Sequence, residues 1–153
     1  MKALHGKATG DAPASMDVCL GVLAAVELYP DWYPDVVRRV LVVDRDPRGM
    51  ASRAEVSLHL SHGPLARDLD LVVSVHIDPR GAVVLTRIPH SPSDNEELEV
   101  SWRLETGPET LIALELHANL AVPRLLPLVD LADSVAQGFV GAAVTAIRQA
   151  GDL

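Results

Sequence analysis

Six histidines, His5, His59, His62, His76, His90 and His117, are the side chains here that exchange protons nearest neutral pH. None forms a His-x-x-x-His pair, and no compact histidine/cysteine array has zinc-ligand spacing, so no metal site is expected. His59, His76 and His117 fall on the polar side of alternating segments and read as solvated. His62 and His90 fall in loops, where either would serve as an acid or base if it bordered an opening. Asp68/Asp70 and Glu97/Glu99 are carboxylate pairs at period two, a pattern that can divide acid and base roles. Alternation sets both pairs opposite the apolar side, so they read as surface. Arg87, in the ambiguous run Val84-Leu85-Thr86-Arg87-Ile88, would bind a ligand carbonyl or carboxylate if turned inward. Cys19 is the single cysteine and lies in an apolar run, which reads as a buried, reduced thiol. Asp44-Arg45-Asp46-Pro47-Arg48-Gly49 lacks full calcium-loop spacing and reads as a turn. There is no Gly-x-Gly-x-x-Gly or phosphate-binding Gly-Lys-Ser/Thr sequence. These residues yield no catalytic or cofactor assignment.

The aromatic residues are more informative because they are few, 3% of the chain. Tyr29, Trp32 and Tyr33 cluster in Leu28-Tyr29-Pro30-Asp31-Trp32-Tyr33-Pro34-Asp35, between two prolines. Each proline fixes its own φ and biases the residue before it, so the segment reads as a shaped loop or short helical turn. Its rings form a wall that could rim a pocket. Trp102 adds an indole on the apolar side of a later strand.

The elements that would position these groups follow from periodicity. Leu4, Gly6 and Ala8 alternate with His5, Lys7 and Thr9 over a strand at 3–10. Ser15 can cap a helix at 16–27, with Met16, Cys19, Leu20, Leu23 and Val26 at helical spacing. Strands follow at about 36–44, 53–60, 66–77, 82–88, 97–105 and 112–120, with turns at Asp46-Pro47-Arg48-Gly49, Asp78-Pro79-Arg80-Gly81 and Thr106-Gly107-Pro108-Glu109. Alternation means that one sheet face meets water and the other apolar partners. Pro123 ends the last strand. A helix at about 125–149 opens with Pro127 in its first turn, has Arg148 near its end and has Gly151 just beyond it. Val135 and Phe139 lie on its apolar stripe. Gly138 and Gly141 allow close approach or leave room for something against the helix.

At 153 residues, with 48% hydrophobic residues, the chain has the size and composition of one folded domain, 1–153. Net charge is −8 and no basic cluster exceeds Arg38-Arg39, which disfavours nucleic-acid binding. No apolar run is long enough to span a membrane, and the amino terminus is a poor signal peptide, so a soluble, cytoplasmic protein is expected.

The helix leading into Val26-Glu27-Leu28-Tyr29-Pro30-Asp31-Trp32-Tyr33-Pro34, the strand pairs, Trp102 and the final helix together resemble the helix-grip superfamily. That superfamily includes polyketide cyclase/dehydrase, START-like lipid-transfer and coenzyme Q-binding proteins. The resemblance implies an α+β fold in which a strongly curved antiparallel sheet of six or seven strands wraps around the long C-terminal helix. It also implies a cavity between them for a small hydrophobic ligand such as a lipid, isoprenoid or polyketide. Candidate ligand-binding residues are Tyr29, Trp32, Tyr33, Arg87, Trp102, Val135 and Phe139. A carrier or sensor is the leading expectation. The alternatives are a cyclase/dehydrase-type enzyme, or an interaction module with a collapsed cavity; a homodimer or other protein partner stays open.

Overall fold

The computed structural model describes residues 2–62, 64–120 and 128–151. Its elements are β1 (Lys2–Ala12), α1 (Met16–Ala24), a 3₁₀ turn (Val26–Leu28), α2 (Tyr29–Trp32), β2 (Val37–Arg45), β3 (Ala51–His62), β4 (Leu65–Asp78), β5 (Ala82–Arg87), β6 (Glu97–Glu105), β7 (Thr110–Leu120) and α3 (Leu128–Gly151). The strands form one seven-stranded sheet in the order β1-β7-β6-β5-β4-β3-β2, antiparallel throughout. Alternation translates directly into burial: Ala54 and Val56, Leu69 to Val75, Val83 and Leu85, and Ile112 to Leu116 supply the buried face.

Turn chemistry sets the strand ends. The two Asp-Pro-Arg-Gly tetrapeptides use the same device. Asp46 Oδ1 accepts from the Arg48 and Met50 amides, and Asp78 Oδ1 accepts from the Arg80 amide. Gly49 (φ +85°) and Gly81 (φ +125°) occupy the left-handed region that glycine enters without steric cost.

The expected strong curvature is corrected. The sheet is open, with β1 and β2 as separate edges, and it does not wrap around the helix. Register shifts, the irregularities that bend a sheet, are confined to β2–β3, and the other pairings run without them. The helical layer explains why strong bending is not needed. α3 packs chiefly along β1 and less along β7, while α1 touches β5 and β6, and the 3₁₀ turn and α2 meet β2. Several elements share the apolar face, so no single helix has to be enclosed.

The expected helix at 16–27 also divides. α1 starts where Ser15 accepts from the Val18 amide, as its cap position predicts. It stops at Ala24 because Ala25 leaves helical geometry (ψ +68°). At the other end of the chain, α3 includes Gly151, which was expected just beyond it. Pro123 and Pro127 lie outside the described residues.

Candidate functional site

The protein has two tryptophans, two tyrosines and one phenylalanine, and all of them converge on one point. The Phe139 ring, on α3, has centroids 5.4 Å from Tyr29, 5.5 Å from Trp32, 4.7 Å from Tyr33 and 5.1 Å from Trp102. Tyr29 and Trp102 meet it edge-on, the arrangement that sets a positive ring edge against a negative face. Phe139, Tyr29, Tyr33 and Trp102 are buried and Trp32 is half-buried. The Trp32 indole N–H is buried without a hydrogen-bond acceptor among the described residues.

The two tyrosines explain how a short, proline-bounded segment holds its place. The Tyr29 hydroxyl donates to the Leu23 carbonyl, one of the groups left open at the end of α1. The Tyr33 hydroxyl donates to the Val135 carbonyl in α3 at 3.1 Å. Gly138 makes that reach possible, because a Cβ there would lie 2.7 Å from the Tyr33 hydroxyl oxygen. Gly141 has open space instead. Burial pushes the Tyr33 phenol up to about 12, with Asp35 adding to the effect, and raises Tyr29 further.

Beside this cluster lies an apolar chamber in two lobes. The larger, about 80 Å³, lies between the first half of α3 (Leu131, Ala132, Val135, Phe139) and inward residues of β1 to β4, β6 and β7, and its whole lining is apolar. The smaller, about 40 Å³, reaches Val26 and Tyr29 across β2 to β6. Phe139, Val37, Leu58, Leu98 and Val100 line both lobes. The asymmetric seating of α3 accounts for the gap. Gly6 lets the helix lie on β1, since a Cβ there would come within 2.4 Å of the Ala132 carbonyl oxygen. The sheet on the β3 and β4 side is then left farther from the helix.

Of the seven candidate ligand-binding residues, Tyr29, Trp32, Tyr33, Trp102 and Phe139 form the aromatic cluster, and Val135 joins Phe139 in the chamber wall. Arg87 stands apart. It sits opposite Val73 on the inward register, but its guanidinium donates to Asp94 Oδ2 (2.6 Å) and the Glu96 carbonyl (2.7 Å). It therefore fastens the 88–96 connection. The pairing, with amides of His90 and Glu96 also donating to Asp94, holds the Asp94 carboxyl well below the usual carboxylate range.

His90 is exposed, and the side chain of His62 is outside the described set. Asp68, Asp70, Glu97 and Glu99 are exposed, with Asp68 bonded to His59 and Asp70 to Ser57. Cys19 is buried and free, its thiol raised by desolvation. Sequence reasoning missed the aliphatic lining residues Leu4, Leu60, Leu116 and Ala132. Alternation places three of them on the inward face, but no sequence signal says which inward positions border a gap.

An antiparallel sheet half-covered by a long C-terminal helix, with an apolar chamber beneath that helix, defines the START-like class of sheet-and-helix proteins. Residues 12–148 match the family described as polyketide cyclase/dehydrase and lipid transport, and the chain belongs to that family. A START superfamily protein from Mycobacterium smegmatis is similar in structure, with TM-score 0.75 and 16% identity over 95% of this chain and 98% of that one. So is the Zhui aromatase/cyclase from Streptomyces sp. R1128, with TM-score 0.59 and 21% identity over 97% and 88%. A STAR-related lipid transfer protein from Xanthomonas axonopodis gives TM-score 0.66 and 17% identity over 94% and 85%. No curated protein matches in sequence. No described helix is long and apolar enough to cross a membrane.

Proposed function

We propose that this protein binds a small hydrophobic molecule, such as a lipid, isoprenoid or polyketide-like compound, in the chamber under α3 and acts as its carrier or sensor. The observation that carries this reading is the all-apolar lining, to which water gains no hydrogen bonds and an apolar ligand loses none. Each 100 Å² of apolar ligand surface removed from water contributes roughly 2.5 kcal/mol before association costs. The lobes are small beside the ~300 Å³ of a typical ligand pocket. Ligand entry therefore requires Phe139 and its aliphatic neighbours to shift, which would merge the two lobes.

The likeness to an aromatase/cyclase raises a catalytic alternative, but neither lobe has a titratable lining group suited to proton transfer near neutral pH among the described residues. The small lobes, together with exposed Leu28, Leu41 and Val43, favour a second reading, an interaction module with a collapsed chamber. Denaturing extraction of the purified protein, followed by mass spectrometry of released small molecules, separates the two. A stoichiometric apolar compound supports the carrier. Its absence, together with no saturable binding of a lipophilic fluorescent probe, would leave the interaction module.

A further inference from the structure

The solvent face of the sheet, opposite the chamber, carries a grouping that distance along the chain conceals. β1 and β7 pair with His5 directly opposite His117, and the two imidazoles stack with centroids 4.3 Å apart and planes 14° apart. Glu115 lies two residues from His117 on the same strand face. Its Oε1 is 3.1 Å from His5 Nε2 and 2.7 Å from His117 Nε2. One ligand atom from each of the three residues lies within 4.8 Å of the others.

We propose that His5, Glu115 and His117 form a surface site for a divalent transition-metal ion of the zinc type, joining edge strand β1 to β7. Zinc takes imidazole nitrogen at about 2.0–2.1 Å and carboxylate oxygen at about 2.0–2.2 Å, so tetrahedral donors stand roughly 3.3 Å apart. The nitrogen–oxygen separations of 3.1 and 2.7 Å need to open by about 0.2 and 0.6 Å, and the stacked imidazoles must tilt so that both nitrogen lone pairs aim at one ion. Strand register already fixes the Cα positions, which limits the ordering cost to side-chain torsions. The side chains are 39–52% exposed, so water can complete the coordination. Glu99, the register partner of His117 on β6, supplies a further carboxylate nearby. Lys7, the register partner of Glu115, is the cation an incoming ion must compete with. Two imidazoles and one carboxylate select zinc, copper or nickel over magnesium and calcium, which prefer all-oxygen sites.

The test uses the full chain stripped by a chelator and titrated with Zn²⁺ against a chromophoric zinc indicator. One equivalent should bind, and thermal unfolding should shift upward with Zn²⁺ but not with Mg²⁺ or Ca²⁺, because only the folded register assembles the donors. His5→Ala and His117→Ala should each weaken binding beyond the about 10–100-fold typical of losing a mere outer-shell partner. Glu115→Gln should weaken it in the same direction, which keeps the test decisive if an alanine variant misfolds. His76→Ala, at an exposed histidine elsewhere, should leave binding unchanged. Absence of a bound equivalent, an equal loss in His76→Ala, or equal competition by Ca²⁺ would overturn the site.

Discussion

Phe139 is the only phenylalanine in the chain, and four other rings surround it. Phe139→Ala should cost about 3–5 kcal/mol in urea unfolding, the range for emptying a packed aromatic site. A cost under ~1 kcal/mol would mean the rings do not act as core. Tyr29 and Tyr33, the only tyrosines, are buried with their hydroxyls donating to backbone carbonyls, and burial raises both phenols. A phenol whose folded pKa is raised contributes stability that is complete below the unfolded value of about 10 and lost as pH rises through the folded one. Phenolate absorbance should therefore not appear around pH 10 but only at higher pH, with unfolding. A native titration near 10 would show a wet ring. Asp94 has the opposite sign. Its folded pKa is depressed, so its contribution is present above the unfolded value of about 3.9 and lost as pH falls towards the folded one. Asp94→Asn should flatten the pH dependence of stability below about pH 4, read from urea midpoints; an unchanged slope would remove the Arg87–Asp94 pair from the acid response.

Among the elements, α3 on β1 is the contact that shapes the chamber. Gly6→Ala would place a methyl against the Ala132 backbone, which cannot rotate aside as a side chain would. Destabilisation of about 1–3 kcal/mol is expected from that overpacking. Gly21, within α1 and with open space around it, gives the contrasting result: Gly21→Ala should stabilise by about 0.5–1 kcal/mol. Thermal melts of the two variants decide the matter, and equal effects would contradict the close α3–β1 seating. Strand periods were legible here because each side chain on a half-buried strand reports its own face. The break after Ala24 was less so. Apolar spacing continues to Val26, while the backbone turns to set Tyr29 against both the Leu23 carbonyl and the Phe139 ring of α3, and the second of these contacts is distant in sequence.

For the whole molecule, the chamber reading predicts that Val135→Phe fills the larger lobe and weakens lipophilic-probe binding at least about tenfold, equivalent to 1.4 kcal/mol. Arg87→Lys should leave that affinity unchanged, because the guanidinium serves the 88–96 connection. Probe binding that follows Arg87 and ignores Val135 would move the site away from the chamber. The sequence by itself determined where the strands lie, most of them by alternation, together with the Asp-Pro-Arg-Gly turns, the terminal helix and the aromatic segment, since each rests on interactions within a few residues. It also pointed to the family through the Tyr-Pro-acidic-aromatic signature. Tertiary structure alone decided that the sheet stays open, that four rings meet at Phe139, that Arg87 is occupied, and that His5 faces His117. Those outcomes depend on which distant segments share space, and hydrophobic burial is too nondirectional to specify that from pattern alone.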